Sequence, residues 1–327
     1  MKLKIRSFLL LFILIFIFLF IIEDIFPIAT IPNVISQDVV IKKPENYKKV
    51  NVVFNISTEY NGNSLITLKD IIKNASNNQF ILIDYKNPLF FEGNYNNRYI
   101  YVYTDIICKK IFSINKESSG FINFLRKIKY YLFYLFDKKD AFYEKYKLLD
   151  KNQFFKTFNP ITDSCFIGNS KAYISFKKVS DLIYPDLKNQ LKLITNNVYV
   201  KKDFDNLTFI NKKKMLFNNI NKGMSFVSFY YNLDFDFYIK TQKGEYPLGS
   251  SLNLNEKPLI YVRKPLGNYI IAVYKNGEIY KYYKSSFIIK KKIEGYYFFV
   301  VYKYSRNMGD FYFSLDPVII TNPIFIQ

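Results

Sequence analysis

The strongest constraint on the fold is a series of short, nearly unbroken apolar segments between Val50 and Ile107, with helical spacing between the first two. Val50 to Ile56 reads as a strand. Leu65, Leu68, Ile71, Ile72 and Ala75 then recur at helical spacing around a Thr67 cap. Phe80 to Ile83 and Tyr99 to Ile107 read as two further strands. A strand that is apolar at consecutive positions has both faces covered, which is the habit of parallel sheets. Strand, helix, strand in this order points to an α/β fold built on a parallel sheet or a barrel.

Further along, Phe121, Leu125, Ile128, Leu132 and Leu135 form one stripe of a helix expected over Phe121 to Phe136. Arg126, Lys127 and Lys129 interrupt it, so it reads as an amphipathic core helix. From about Tyr246 the texture changes to alternating strands with turn signals. Lys275-Asn276-Gly277-Glu278 is one of these, because Asn-Gly suits a tight hairpin. Several strands running to the C-terminus suggest a small all-β sandwich. With 327 residues, half of them hydrophobic, the chain can bury two moderate cores.

Lys2, Lys4 and Arg6 precede an apolar run from Phe8 to Ile22, closed by Glu23 and Asp24. Such a run is an export signal or a transmembrane anchor. As a helix it spans about 23 Å at 1.5 Å per residue, against roughly 30 Å of hydrocarbon. Near its end only Ala29, with Pro27 two residues before it, approaches a small-residue cleavage site, which favours an uncleaved anchor. The preceding basic residues place the body of the protein outside the cytoplasm, in the periplasm or at the cell surface. Residues 1–24 are thus expected to be a signal anchor in the membrane. Ile25 to Tyr47, with three prolines, reads as a linker.

The formal charge of +20 invites an anionic partner, but only five of the 47 basic residues are arginine, the side chain that grips phosphate with two parallel bonds. The lysines are scattered in short runs, so nucleic acid is not expected as a partner. Histidine is absent, which excludes any His-based metal site or proton relay, and two cysteines cannot make a thiolate zinc site.

Three stretches together resemble the PHP family, named for polymerase and histidinol phosphatase, and in particular an exported branch with an appended β-sandwich. The family opens on a strand reading Asp-x-His-x-His-Ser, then a Ser-Asp-Gly turn and a helix. Here Val52-Val53-Phe54-Asn55-Ile56-Ser57, then Tyr60-Asn61-Gly62, occupy that place, with Phe54 and Ile56 at the His positions. The family's Thr-Asp-His-Asn is matched by Asp84-Tyr85-Lys86-Asn87, and Gly-x-Ser-Asp-Ala-His by Gly168-Asn169-Ser170-Lys171-Ala172-Tyr173. Asn206 to Phe226 and the terminal Thr321 to Ile326 continue the likeness.

The resemblance implies a distorted β/α barrel over 48–245, a β-sandwich over 246–327, and metal ligands replaced by groups that cannot donate. Phe54 and Ile56 offer no lone pair, while Lys86 and Lys171 place ammonium charges where cations would sit. Two unit charges 4 Å apart repel by about 4 kcal/mol at an effective dielectric of 20. Tyr85, Tyr173 and Asp105 fill the remaining degenerate positions, so no metal or other cofactor is expected. Glu59, Asp84 and Asp105 are residual oxygen donors, which leaves a weak Mg²⁺ or Ca²⁺ site, and a divergent phosphoesterase, as the alternative. Lys86, Lys171, Tyr85 and Tyr173 also suit an anionic ligand. Cys108 and Cys165 are open to a disulfide, with buried free thiols the favoured reading. The expected function is therefore a catalytically inactive, PHP-like envelope protein that binds an unknown ligand or envelope partner or has a structural role.

Overall fold

A computed structural model describes residues 25–54, 67–84, 92–103, 110–113, 165–169, 176–177, 183–184, 187–229, 233–290 and 294–327, with isolated helical positions in 10–21 and 121–129. The first half runs β1 (Ile28–Thr30), β2 (Tyr47–Phe54), α1 (Leu68–Asn74), β3 (Gln79–Asp84), β4 (Gly93–Tyr95), β5 (Arg98–Tyr103), β6 (Lys110–Ser113), β7 (Phe166–Asn169), β8 (Phe176–Lys177), β9 (Ile183–Tyr184), α2 (Leu187–Leu193), β10 (Thr195–Lys201), α3 (Phe209–Asn221) and β11 (Ser225–Ser228). The second half is strands apart from one 3-10 turn at Leu254–Glu256: β12 (Asp236–Thr241), β13 (Gly244–Tyr246), β14 (Ser251–Leu252), β15 (Leu259–Arg263), β16 (Tyr269–Lys275), β17 (Glu278–Tyr283), β18 (Phe287–Ile289), β19 (Gly295–Lys303), β20 (Arg306–Met308), β21 (Phe311–Phe313), β22 (Asp316–Thr321) and β23 (Ile324–Ile326).

The βαβ unit forms as its sequence predicts. Thr67 caps α1 reciprocally: its hydroxyl accepts from the Asp70 N–H at 3.2 Å, and the Asp70 carboxylate accepts from the Thr67 N–H at 2.8 Å. β2, β3 and β5 run parallel, with Val52 opposite Phe80 and Phe80 opposite Tyr99. Their consecutive apolar residues face alternate ways. Val52, Phe54, Phe80, Leu82 and Tyr101 pack under Leu216 and Ile220 of α3. Val53, Ile81, Ile83 and Ile100 pack under Ile71 and Ala75 at α1 and Leu187 and Leu191 of α2.

The distorted barrel implied by the family resemblance does not form. β10 enters antiparallel to β2, with Val198 opposite Val50, so the parallel run ends after three strands. The sheet then stays open, in the order β4-β5-β3-β2-β10-β11-β22-β19, and continues from β19 into β16 and β17 on one side and β23 and β14 on the other. A barrel needs every strand paired on both edges, whereas here β4 ends the row.

The sandwich is built on that same sheet. A second sheet, β13-β12-β15-β18, covers its far half, and the core between them holds Phe226, Phe235, Phe237, Ile260, Ile271, Phe287, Phe299 and Val300. Phe237 and Phe299 meet at 4.8 Å between ring centroids. The expected division at 245/246 falls within strand β13, which pairs with β12 across a tight hairpin. The Asn-Gly turn is present between β16 and β17, with φ of 53° at Asn276 and 89° at Gly277.

Two other expectations are corrected. Residues 25–47 are no loose linker. β1 pairs with β21, the Ile35 N–H donates to the Tyr282 carbonyl at 2.9 Å, and Gln37 both donates to Ser285 Oγ and accepts from the Ile288 N–H. Toward the N-terminus, Leu10, Leu11, Ile13, Leu14, Ile17, Phe18 and Ile21 are helical and exposed, yet among the described residues no helix is long and apolar enough to cross a membrane. In the stretch expected as a helix over 121–136, the described positions are helical, with Leu125 buried and Phe121 and Phe124 exposed.

Candidate functional site

The parallel register brings the carboxyl ends of β2, β3 and β5 to one edge, where Phe54 follows the pair Val53 and Ile81, and Asp84 lies opposite Tyr103. Open α/β sheets bind ligands at such an edge. Phe54 itself is closed off, 1% exposed among Val52, Leu82, Tyr101 and Cys165. Ile56, Glu59, Tyr85, Lys86 and Asp105 follow these strand ends in sequence, and Lys171 and Tyr173 follow β7; all seven lie outside the described residues. Among the described residues, no three His, Cys, Asp or Glu side chains gather as a metal site. Cys165 is disulfide-bonded rather than a free thiol. Cys108, the chain's one other cysteine, lies outside the described residues, two positions before β6, which pairs in parallel with β7 from Phe166.

The recess that the described residues do form lies elsewhere. A groove of about 670 Å³ runs between α3, the end of β10 and Tyr47, lined by Lys201, Lys214, Lys222, Asn211 and Asn218 over an apolar floor of Leu207, Met215 and Met224. A second hollow of about 440 Å³ shares Tyr47 and Lys201 and adds Lys202, Asn46, Glu45 and Asp203. The helix explains the lining. Thr208 caps α3, and Lys212, Leu216 and Ile220 form its buried stripe, so Asn211, Lys214, Asn218 and Lys222 project along another face at spacings of three and four. Lys201, Lys202, Lys214 and Lys222 form no ion pair among the described residues. Burial pushes the Tyr47 phenol above its ordinary pKa. Ammonium groups, amides and a protonated phenol donate hydrogen bonds to oxyanions.

Sequence reasoning missed this groove because lysines are everywhere in the chain. The available signal was the spacing of Asn211, Lys214, Asn218 and Lys222 on a helix whose stripe of Lys212, Leu216 and Ile220 is committed to the core.

A third polar cluster is structural. Arg263 donates to Asp234 at 2.7 Å and to Asp236 at 3.0 Å, Lys49 lies 3.1 Å from Asp236 and donates to the Phe235 carbonyl, and Lys43 sits 3.3 Å from Asp234. The Arg263 guanidinium holds the Asp234 carboxyl down at about 2, while burial pushes the Lys49 ammonium down. Nearby, the Tyr199 hydroxyl accepts from the Phe237 N–H at 3.0 Å. Each charge in the cluster faces an opposite one. It ties β2 and the N-terminal strap to β12 and β15 of the sandwich.

No family model, curated protein or solved structure matches this chain.

Proposed function

We propose that the chain is a non-catalytic binding protein of the cell envelope, taken to the membrane by its N-terminal apolar segment and facing away from the cytoplasm, with the groove between α3, β10 and Tyr47 as its site for an anionic ligand. The observation that carries the reading is the groove's lining: three lysines, Lys201, Lys214 and Lys222, with no carboxylate partner among the described residues, beside exposed asparagine amides and an apolar floor. The absence of histidine supports the non-catalytic part, since no neutral imidazole is present to ligate a metal or move a proton near pH 7. Lys2, Lys4 and Arg6 before the apolar run support the orientation.

The test is calorimetric titration of the full chain, in detergent, with inorganic polyphosphate as the probe. Each contact between an ammonium and an oxyanion at 4 Å is worth about 1 kcal/mol in water. Replacing Lys201, Lys214 and Lys222 together by Gln is expected to weaken binding about a hundredfold. Binding should also weaken as ionic strength rises and the Debye length falls to about 8 Å. Equal affinity of the variant and the parent would remove the groove from the account. Turnover of a phosphate ester by the parent protein would remove the non-catalytic reading.

A further inference from the structure

At the start of the described body lies a small three-stranded sheet, ordered β1-β21-β20. Its register sets Ile28 opposite Phe313 and Thr30 opposite Phe311, with Arg306 opposite Phe313 and Met308 opposite Phe311. Alternation along a strand puts Ile28, Thr30, Phe311, Phe313, Arg306 and Met308 on one face. The other face turns inward, where Tyr312 is buried against Ile31 and Ile270. The first face is open: Met308 is 65% exposed, Phe311 52% and Ile28 42%. Arg306 stacks its guanidinium 4.8 Å from the Phe313 ring centroid. Beside it, the loop carrying Leu266, 89% exposed, is held to this end of the molecule by Asn268, whose side chain donates to the Ser305 carbonyl.

Exposed apolar and aromatic side chains beside a cation form the composition that settles at a bilayer interface, with rings and aliphatic groups at the headgroup level and the charge toward lipid phosphate. Chain connectivity supplies the occupant. β1 begins six residues after Ile22, the last residue of the apolar run. Six residues reach at most about 20 Å at 3.3 to 3.6 Å each. Any membrane that takes up the run therefore lies within that distance of Ile28. We infer that the outward face of this small sheet rests on the anionic lipid surface of the membrane, holding the body of the protein in one orientation against it.

This inference rests on the proposed membrane location, and a tryptophan scan separates the two. The chain contains no tryptophan, so each introduced indole is a unique reporter. Three single variants of the full chain, Ile17→Trp, Met308→Trp and Ile210→Trp, are reconstituted into vesicles of brominated phosphatidylcholine and phosphatidylglycerol. Ile17 reports on the apolar run, Met308 on the sheet face, and Ile210, 63% exposed on α3, on the helix-covered half. The expected result is a blue shift and bromine quenching at positions 17 and 308 with neither at 210. Adding Arg306→Gln should reduce the quenching at 308 and leave that at 17 unchanged. Quenching at 17 without quenching at 308 overturns the resting face and leaves the membrane location standing. No quenching at 17 or 308 overturns both. A concentration-dependent blue shift at 308 in the absence of lipid assigns the face to a second copy of the chain and likewise overturns the inference.

Discussion

The two halves of the large sheet solve one problem in different ways. Around β2, β3 and β5 the strands are parallel and helices cover both faces. Around β16, β19 and β22 they are antiparallel, and a second sheet covers the core face. Both kinds of cover exclude water from aliphatic side chains, but they leave different remainders. Helices seal the first half with hydrophobic stripes. Where helix cover gives way to sheet cover, at β2, β10 and β12, the interior turns polar, with Lys49, Asn197, Ser228 and Asp236 all buried or nearly so. A change of covering layer leaves backbone and side-chain groups that neither layer reaches. The charged cluster of Lys49, Asp236 and Arg263 closes that seam.

If the cluster joins the halves, breaking it should give the largest effect. Asp236→Ala leaves Lys49 and Arg263 facing the interior without their shared carboxylate, for an expected loss of about 3 kcal/mol or more. Chemical denaturation followed by far-ultraviolet circular dichroism would measure it. A loss below 1 kcal/mol would mean that the seam is held by other contacts. Acid sharpens the same point through Asp234, whose folded carboxyl titrates at about 2 instead of 3.8. A depressed carboxyl stabilises the fold above its unfolded pKa, and this contribution fades as pH falls from about 4 toward 2. In Asp234→Asn that acid-dependent component should be gone, so the stability gap between parent and variant narrows across this window. An unchanged gap would show that the pairing with Arg263 adds nothing.

The two halves also differ in how far the sequence discloses them. The βαβ unit was legible because period, cap and strand length agree locally: Thr67 and Asp70 mark the helix start, and consecutive apolar residues mark strands covered on both sides. The Asn276-Gly277 hairpin was legible because its backbone requires positive φ at both residues. Sheet closure was not. Whether β10 lies parallel or antiparallel beside β2 is decided by the long excursion between them, and Thr195 to Lys201 reads alike in either direction. The strap at 25–47 was hidden too, since its hydrogen bonds to Tyr282 and Ser285 run largely through the backbone and no sequence pattern records the partner. Of the candidate site, the likeness pointed to the strand ends after Phe54 and Asp84, while the groove on α3 depends on the approach of Tyr47, more than 160 residues away.

Between the halves, the sharpest steric contact is Gly249. Its φ is +73°, and a Cβ there would lie 2.0 Å from the Lys222 carbonyl oxygen at the end of α3. Gly249→Ala therefore meets two penalties, a left-handed backbone costing about 1–3 kcal/mol for a residue with a side chain and a collision with backbone that cannot rotate away. The expected result is a lower melting temperature together with altered polyphosphate binding, because Lys222 lines the groove. The control Gly244→Ala meets nothing within 4 Å, though its φ is +148°, and should lower the melting temperature without changing binding. Equal binding losses in both variants would uncouple the groove from the contact between halves.

The smallest expected effect tests whether the helix-covered half can loosen by itself. Thr67→Ala removes the hydroxyl that accepts from the Asp70 N–H and donates to the Asp70 carboxylate, at an expected cost of about 1 kcal/mol. α1 covers only one face of β2 and β3, through Ile71 and Ala75, and touches neither the sandwich core nor the charged seam. Its loss should therefore raise amide hydrogen exchange in α1 while leaving β16 and β19 as protected as in the parent. Should exchange rise equally at Val273 and Val300, deep in the sandwich, the continuous sheet would be acting as one cooperative unit despite its two kinds of cover, and the distinction between the halves would be architectural only.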